Sequence, residues 1–313
     1  MAVKKAVYFF CMDSTKDEVA PLVFEKSSEI LKLSETGMEV DAYPVLEYKD
    51  GDGNIIYYVR TSTVICMDYG RYLPEIKEKF SDCDLAVMVN WHGGGNAPDK
   101  VICIHTVGDV SSGVFGKSEP VMSTNLARAL ERHRQVLELD DFKVTTEATH
   151  WSGVVYGGKV EWIDEYKVPF LDVEIGSTSE SYNNPAAVEV IARALIEVFV
   201  ESAEYPTILY MGGIHFEDTI TNAVLHPTHP VSLTHILPSR WLENEMYTGE
   251  AGMSHLMDCI NSIKGGVQGI VIHEKLGREQ RELAAALSER LGVPLAKRKA
   301  LKLPENTEFY AGK

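Results

Sequence analysis

Short apolar runs of strand length alternate with helix-length stretches along almost all of the 313 residues, and this alternation constrains the fold more than any other feature. Alternating strand and helix signals are the pattern of an α/β chain in which helices cover both faces of a sheet, a three-layer α/β/α architecture. Residues 3–12 read as a first strand, and Asp13, Ser14 and Thr15 can cap a helix over about 16–32. The turn sequence at 50–54 stands between apolar runs at 45–48 and 55–59, a hairpin signal, so the sheet is expected to be mixed rather than wholly parallel. Further strands are expected at 84–89, 101–105, 142–146, 170–175, 206–211 and 269–272, and helices at 123–137, 252–263 and 278–291, the last closed by Gly292. Asn184 followed by Pro185 opens another helix, to about 200, with Pro at its first position. No linker, low-complexity segment or repeat interrupts the pattern, so residues 1–313 read as a single compact α/β unit, divisible at most into two lobes.

A hydrophobic content of 45% is enough for a substantial core in a chain of this length. The five cysteines (Cys11, Cys66, Cys83, Cys103, Cys259) are scattered and odd in number, which argues against a disulfide framework or a thiolate zinc cluster and points to a reducing cytoplasm. The apolar run 6–12 is too short for a secretory signal, and none approaches the roughly 20 residues that span a bilayer, so a soluble chain with no membrane partner is expected. The formal net charge of −16, from 46 acidic and 30 basic residues, weighs against tight binding to a polyanion such as DNA. The best local exception is Lys297, Arg298 and Lys299, followed by Lys302, for which a solvated surface is the favoured reading.

Five histidines share one setting. His92, His105, His150, His215 and His235 each stand at or just after the end of a short apolar run, with Gly, Ser, Thr or Asn close by. Ligands of open α/β sheets bind outside the strand ends, so imidazoles placed there repeatedly suggest one polar pocket. Neutral imidazole is both a zinc ligand and the side chain that titrates nearest neutrality, and spacing alone separates neither role. The helical zinc signature H-E-x-x-H is absent, so a metal site would have to be assembled from distant segments.

Alternation along the strand near 168–175 puts Asp172 and Glu174 on one side, where burial would demand a cation, a histidine or backbone donors. Glu147, three residues before His150, is a weak signal, because on a strand end this spacing turns the two side chains apart unless the chain bends. Gly93, Gly94 and Gly95, and separately Gly212 and Gly213, could bring backbone N–H groups against a ligand as an oxyanion or phosphate cradle needs. The dinucleotide and P-loop glycine fingerprints are missing, which disfavours nucleotide hydrolysis, and Ser152 lacks the elbow of a serine hydrolase. The segment 226–230, with two prolines, reads as an extended surface crossover.

Taken in order, these segments resemble the zinc-dependent D-aminoacyl-tRNA deacylase family of archaea and plants. His92 occupies the position of that family's first histidine loop, and 104–109 (IHTVGD) resembles its H-T-x-G-N motif with Asp109 for Asn. The stretch 147–153 (EATHWSG) resembles E-x-T-H-H-G-P, keeping the first histidine and losing the second. Glu174, Ile175, Gly176, Ser177 and Thr178 match E-I-G-S-T and are the most specific piece. The segments 211–216 (MGGIHF) and 234–238 (THILP) resemble G-G-G-H-Y and G-H-I-x-P.

The resemblance implies a phosphorylase/hydrolase-like α/β/α fold with a mixed sheet, and metal-assisted hydrolysis of the ester joining a D-amino acid to tRNA. It implies a divalent metal, Zn2+, held by some of His150, Glu174, His215 and His235, which would lower the pKa of bound water and polarise the scissile carbonyl. His92 and His105 would transfer protons or stabilise the oxyanion beside the Gly93, Gly94 and Gly95 backbone, and Ser177 and Thr178 would orient the substrate. Three departures stand out: Trp151 and Ser152 replace His-Gly, 212–218 becomes GGIHFED, and the chain is strongly acidic. Trp151 would reshape the substrate pocket and added carboxylates would repel a phosphate-bearing 3′ end, so a small amide or ester is the alternative substrate, and a small-ligand binding protein the alternative to an enzyme.

Overall fold

The computed structural model describes residues 2–94, 97–200 and 205–309. In chain order the elements are β1 (Lys5–Cys11), α1 (Ala20–Ile30), β2 (Ser34–Val40), β3 (Tyr43–Lys49), β4 (Ile55–Thr61), α2 (Tyr69–Phe80), β5 (Leu85–His92), β6 (Lys100–Thr106), β7 (Gly108–Asp109), β8 (Val114–Phe115) and α3 (Pro120–Val136). They continue with β9 (Lys143–Thr146), α4 (Trp162–Glu165), β10 (Phe170–Ser177), α5 (Ser179–Tyr182), α6 (Pro185–Ala194), β11 (Ile208–Met211), α7 (Asp218–Val224) and β12 (Ile236–Leu237). The last elements are α8 (Ser239–Leu242), α9 (Gly249–Ser262), β13 (Gly269–Ile272), α10 (Arg278–Leu291) and β14 (Leu295–Lys297).

Eight strands form a mixed sheet in the order β2-β3-β4-β1-β5-β10-β6-β9. β1, β4, β5 and β10 run parallel, whereas the β3–β4 hairpin and the β6–β10 pair are antiparallel. Central β1 is apolar on both sides because both faces are covered, as expected of a buried parallel strand. Phe10 packs on Phe24 of α1 and Tyr8 donates a hydrogen bond to the Leu195 carbonyl just beyond α6, while Phe9 points the other way onto Phe80 of α2. Helices therefore lie on both faces of this sheet, as the alternation in sequence predicts.

The helices begin where the sequence supplies caps. The Asn184 side chain accepts from the amides of Ala186 and Ala187, with Pro185 in the first turn, as expected. For α1 the residue that accepts from the first amides, those of Val19 and Ala20, is Asp17 rather than any of residues 13–15.

A second sheet, β12-β11-β13-β14, is wholly parallel. Ile208 and Tyr210 of β11 join the core of the large sheet, while Leu209 and Met211 face a separate apolar cluster with Leu256 of α9 and Leu283 of α10. The chain passes from one sheet to the other just after β9. The amide of Glu147 bonds to the Ile104 carbonyl of the large sheet, that of Ala148 to the His215 carbonyl, and that of Thr149 to the Ile236 carbonyl of the second. No helix among the described residues is long and apolar enough to cross a membrane.

Candidate active site

Where the strand ends meet, the chain gathers four of its five strand-end histidines around a carboxylate. In the register, Asp172 of β10 lies opposite His105 of antiparallel β6, and Glu174 opposite Cys103. On the other side of β10, parallel β5 places Asn90 beside Glu174 and His92 beside Gly176. A Cβ on Gly176 would come within 2.9 Å of the His92 Cβ and 3.0 Å of the Val101 Cγ1, so a glycine there leaves room for the imidazole.

Glu147 is the centre. It is fully enclosed, and both Nε2 of His92 and Nε2 of His215 lie 3.0 Å from its Oε1. His105 Nε2 stands 3.9 Å from its other oxygen and 3.5 Å from Asp172 Oδ2. The His105 and His150 rings stack with centroids 3.9 Å apart, and His150 approaches His215 at 5.0 Å. Burial alone would push the Glu147 carboxyl up, but hydrogen bonds from His215 and His92 and the fields of His105 and His150 outweigh it and hold it well below the usual carboxylate range. Asp172 and Glu174 move the opposite way, raised well above that range by burial and by the Glu147 charge. Burial also lowers the pKa of His105 and of His150.

Backbone acceptors set the tautomers of two imidazoles. His150 Nδ1 lies 2.9 Å from the Ala148 carbonyl and His105 Nδ1 lies 3.1 Å from the Thr106 carbonyl. A carbonyl only accepts, so each Nδ1 carries the proton and each Nε2 presents a lone pair. His92 Nδ1 meets the Ser177 hydroxyl at 3.0 Å, so Ser177 orients an imidazole rather than facing the cavity.

A cavity of about 300 Å³ opens over this cluster, lined among others by Trp91, His92, Gly93, His150, Tyr156, Glu174 and His215. Other expected site residues stand apart from it. His235 is fully buried and has both nitrogens engaged, Nδ1 with Thr106 at 2.9 Å and Nε2 with Ser262 at 2.9 Å, so it belongs to the polar core between the sheets and not with the other four histidines. Trp151 is buried against Tyr69, its indole covering Gly153 and Gly158; it fills the core beneath the site and does not reshape the cavity wall. Thr178 caps α5, accepting from the Ser181 amide. Of the glycine loop, Gly93 lines the cavity, Gly94 does not, and Gly95 lies outside the described residues. Residue 226, in the proline-flanked crossover, is tied to α3 through Arg128, which donates to the His226 carbonyl.

Two residues of this cluster carried little or no weight in the sequence. Glu147 lies at the point where the chain leaves β9 for the second sheet, and the bend there brings it onto the side of His92 and His215. Cys103 is a buried neighbour of Glu174, with Sγ 3.6 Å from Oε2.

The donor set suits a cation. Ligand atoms of His92, Cys103, Glu147 and Glu174 lie within 4.8 Å of one another, and so do those of His105, Asp172 and Glu174. His105 Nε2, Glu147 Oε2 and both carboxylate oxygens of Asp172 are buried without a hydrogen-bond partner. Leaving such groups unpaired costs about 1–3 kcal/mol each, more for charged ones, and a metal ion bound by nitrogen, sulfur and oxygen donors removes that cost.

Buried carboxylates and imidazoles converging on an open cavity define a hydrolytic type of centre, and the comparisons with known proteins narrow it. The model of the D-aminoacyl-tRNA deacylase family matches residues 79–296, which include every member of the cluster, and the chain belongs to that family. Among its relatives are proteins named D-aminoacyl-tRNA deacylase from Pyrococcus abyssi, 25% identical over 91% of this chain and 98% of the relative, and from Caldivirga maquilingensis, 26% identical over 73% and 81%. A crystal structure of a conserved protein of unknown function shares the fold, with a TM-score of 0.74 and 20% identity over 96% of this chain and 98% of that one.

Proposed function

We propose that this chain hydrolyses the ester between a D-amino acid and the 3′ end of tRNA, with His92, His150, His215 and Glu147 as the groups that handle protons and charge. The observation that carries the reading is the enclosed Glu147 shared by two histidines at 3.0 Å under the cavity. Ester hydrolysis needs a water activated for attack, a counter-charge for the oxyanion and a donor for the leaving ribose oxygen. His150 lines the cavity with its Nε2 lone pair free of backbone partners, so it accepts the proton of the attacking water. Glu147, ionised and buried, holds His92 and His215 with Nε2–H toward it and stabilises whichever imidazole becomes cationic. The proton that His150 takes from the water is the one returned to the departing ribose oxygen, either from His150 itself or relayed through His215, whose ring centroid lies 5.0 Å away and whose side chain is 40% exposed at the rim.

The donors of His92, Cys103, Glu147 and Glu174, with His105 and Asp172 behind them, are the groups that would hold a divalent metal, zinc by their chemistry, and His92 would give up its Nε2 proton and its hydrogen bond to Glu147 to do so. Bound there, it would polarise the ester carbonyl and lower the pKa of a water. The cavity of about 300 Å³ lies at the small end of ligand pockets, roughly 300–1,000 Å³, and suits an aminoacyl group better than an aminoacyl nucleotide.

The test is single-turnover hydrolysis of D-aminoacyl-tRNA beside its L-aminoacyl counterpart and a panel of small D-aminoacyl amides and esters. Preferential cleavage of the D-aminoacyl-tRNA is expected. Cleavage of the small substrates alone would replace this reading with that of a small-molecule hydrolase, and cleavage of none by folded, metal-supplied protein would overturn both.

A further inference from the structure

A second cavity, of about 550 Å³, lies beyond the ends of β11 and β13. Ile214 and Phe216 line it, whereas His215 between them lines the first cavity, so one extended stretch of chain forms a wall of both. Phe216 also touches His92, with ring centroids 5.4 Å apart. Ile214 is 67% exposed, an apolar side chain in water beside a polar hollow.

Charge is divided across this cavity. Its wall carries the carboxylates of Glu217, Asp218 and Glu243 together with His273, Lys275 and Arg298. Arg298 is committed to Glu217 and Glu274 at 3.0 Å each, and Glu274 also accepts from the Lys299 amide. The remaining cations are uncommitted: Lys275, Lys297, Lys299 and Lys302 are all exposed and make no ion pair among the described residues. Lys275 lines the cavity itself, and the backbone pairing of Lys297 with Ile272 and the packing of the turn over Arg298–Lys302 on α7 put the segment that carries Lys297, Lys299 and Lys302 next to it, with Arg298 of that segment on the wall. These four ammonium groups stand beside a wall that also carries Glu217, Asp218 and Glu243, in a chain of net charge −16.

Resting on the deacylase reading, we infer that this second cavity and its lysine rim receive the single-stranded 3′ end of the RNA. A nucleotide presents phosphates, hydroxyl and amino donors and an aromatic face, and each has a counterpart here. Lysines at the rim meet phosphodiesters; Arg298 at 3.0 Å offsets the Glu217 charge, so the carboxylates of 212–218, which the sequence sets against a phosphate-bearing 3′ end, are left here to accept from ribose hydroxyls and base amino groups, and Ile214 and Phe216 offer apolar surface to a base. The shared wall then places a terminal ester next to His215. The net negative charge of the chain confines the polyanion to this side rather than excluding it.

The experiment compares wild-type protein with the Lys297→Glu, Lys299→Glu, Lys302→Glu triple variant, with Lys275→Glu, and with a control carrying Lys32→Glu and Lys49→Glu at the β2–β3 end of the sheet. Uncharged tRNA is titrated at several salt concentrations, and melting temperatures confirm folding. The triple variant is expected to bind roughly tenfold or more weakly and to lose about one unit of salt slope for each phosphate contact removed, with turnover of D-aminoacyl-tRNA lost through KM. Lys275→Glu should move the same way and the control should not. Wild-type affinity and salt slope in the triple variant, or equal losses in the control, overturn the assignment, and the rim would then serve a protein partner or none. If wild-type protein cleaves no D-aminoacyl-tRNA, the deacylase reading fails by itself, while the RNA titrations still decide where RNA docks.

Discussion

At the scale of single residues, Glu147 is the group on which the site depends, because two imidazoles share one of its oxygens and a third stands beside the other. Glu147→Gln keeps the volume but removes the charge, and the amide must turn either its oxygen or its NH2 toward two histidines that both need an acceptor. We expect kcat to fall by about 10²-fold or more with little change in far-UV circular dichroism; kinetics within threefold of wild type would remove Glu147 from the mechanism. His150 makes a pH statement. Burial holds its pKa below the usual 6.5, so the neutral, proton-accepting form persists as pH falls through that value. The acid limb of kcat/KM is therefore expected below pH 6.5, and a limb at or above it would exclude His150 as the base. Asp17 titrates for a structural reason: it caps α1 with one oxygen while the other is buried and unpartnered, and burial raises it from 3.8 to about 7. An acid with a raised folded pKa contributes most below the unfolded value, and its contribution is lost as pH rises through the folded one. Asp17→Asn keeps the cap and should gain stability on wild type between about pH 4 and 7, by on the order of 4 kcal/mol at the upper end. Parallel stability profiles for the two proteins across that range would contradict the argument.

At the scale of elements, β10 carries the design, since one face presents Asp172 and Glu174 and its glycine makes room for the neighbouring strand's histidine. Gly176→Ala is expected to displace the His92 ring, lowering kcat by roughly 10–100-fold while the sheet persists; an unchanged kcat would mean that the His92 position does not matter. The same strand shows what was legible in the sequence. Period-two alternation predicts the shared side of Asp172 and Glu174 directly, and the strand-end setting of His92, His105, His150 and His215 predicts that they meet, because both are local consequences of pleat and chain direction. His235 has an identical local setting and lies elsewhere, since the partners that claim it, Thr106 and Ser262, are distant in sequence. Glu147 was obscured by the opposite error: a regular strand would turn it away, and only bonds to both sheets produce the bend. The edge strand β2 left no signal because its sequence, SETGMEV, buries only Val40 and so needs no apolar run. Trp151 looked like a pocket residue by its place in the motif, but indole size favours the core site it fills beside Tyr69.

At the scale of the whole molecule, the site exists only because the two sheets are held together. Glu147 and His150 lie on the connecting segment, His215 follows the second sheet's β11, and His92 and His105 end strands of the first. Ile208 and Tyr210 of the second sheet belong to the same apolar core as β1 and β5, so separating the sheets would expose that core to water. We propose that the chain unfolds as one unit, with tryptophan fluorescence and far-UV circular dichroism giving coincident denaturation curves; two separated transitions would make the sheets independent domains. The buried charge adds a second expectation for the same measurement. Glu147, Asp172 and Glu174 crowd one pocket, and without a cation burial and the Glu147 charge push the pKa of Asp172 and of Glu174 well up, toward the acid form. A divalent ion removes that repulsion in the folded state and finds no such donor set in the unfolded chain, so it must stabilise the fold by linkage. Protein purified without chelators is expected to carry stoichiometric metal, zinc by its donors. Stripping the metal should lower the melting temperature, and returning zinc at about 100 times its dissociation constant should restore roughly 2.7 kcal/mol. Chelation would also leave the protein taking up protons, because burial and the Glu147 charge shift Asp172 and Glu174 toward their acid forms, an uptake that calorimetry in buffers of different ionisation enthalpy can count. A melting temperature indifferent to chelator and to zinc, with no proton uptake, would mean that the cluster works by acid–base chemistry alone.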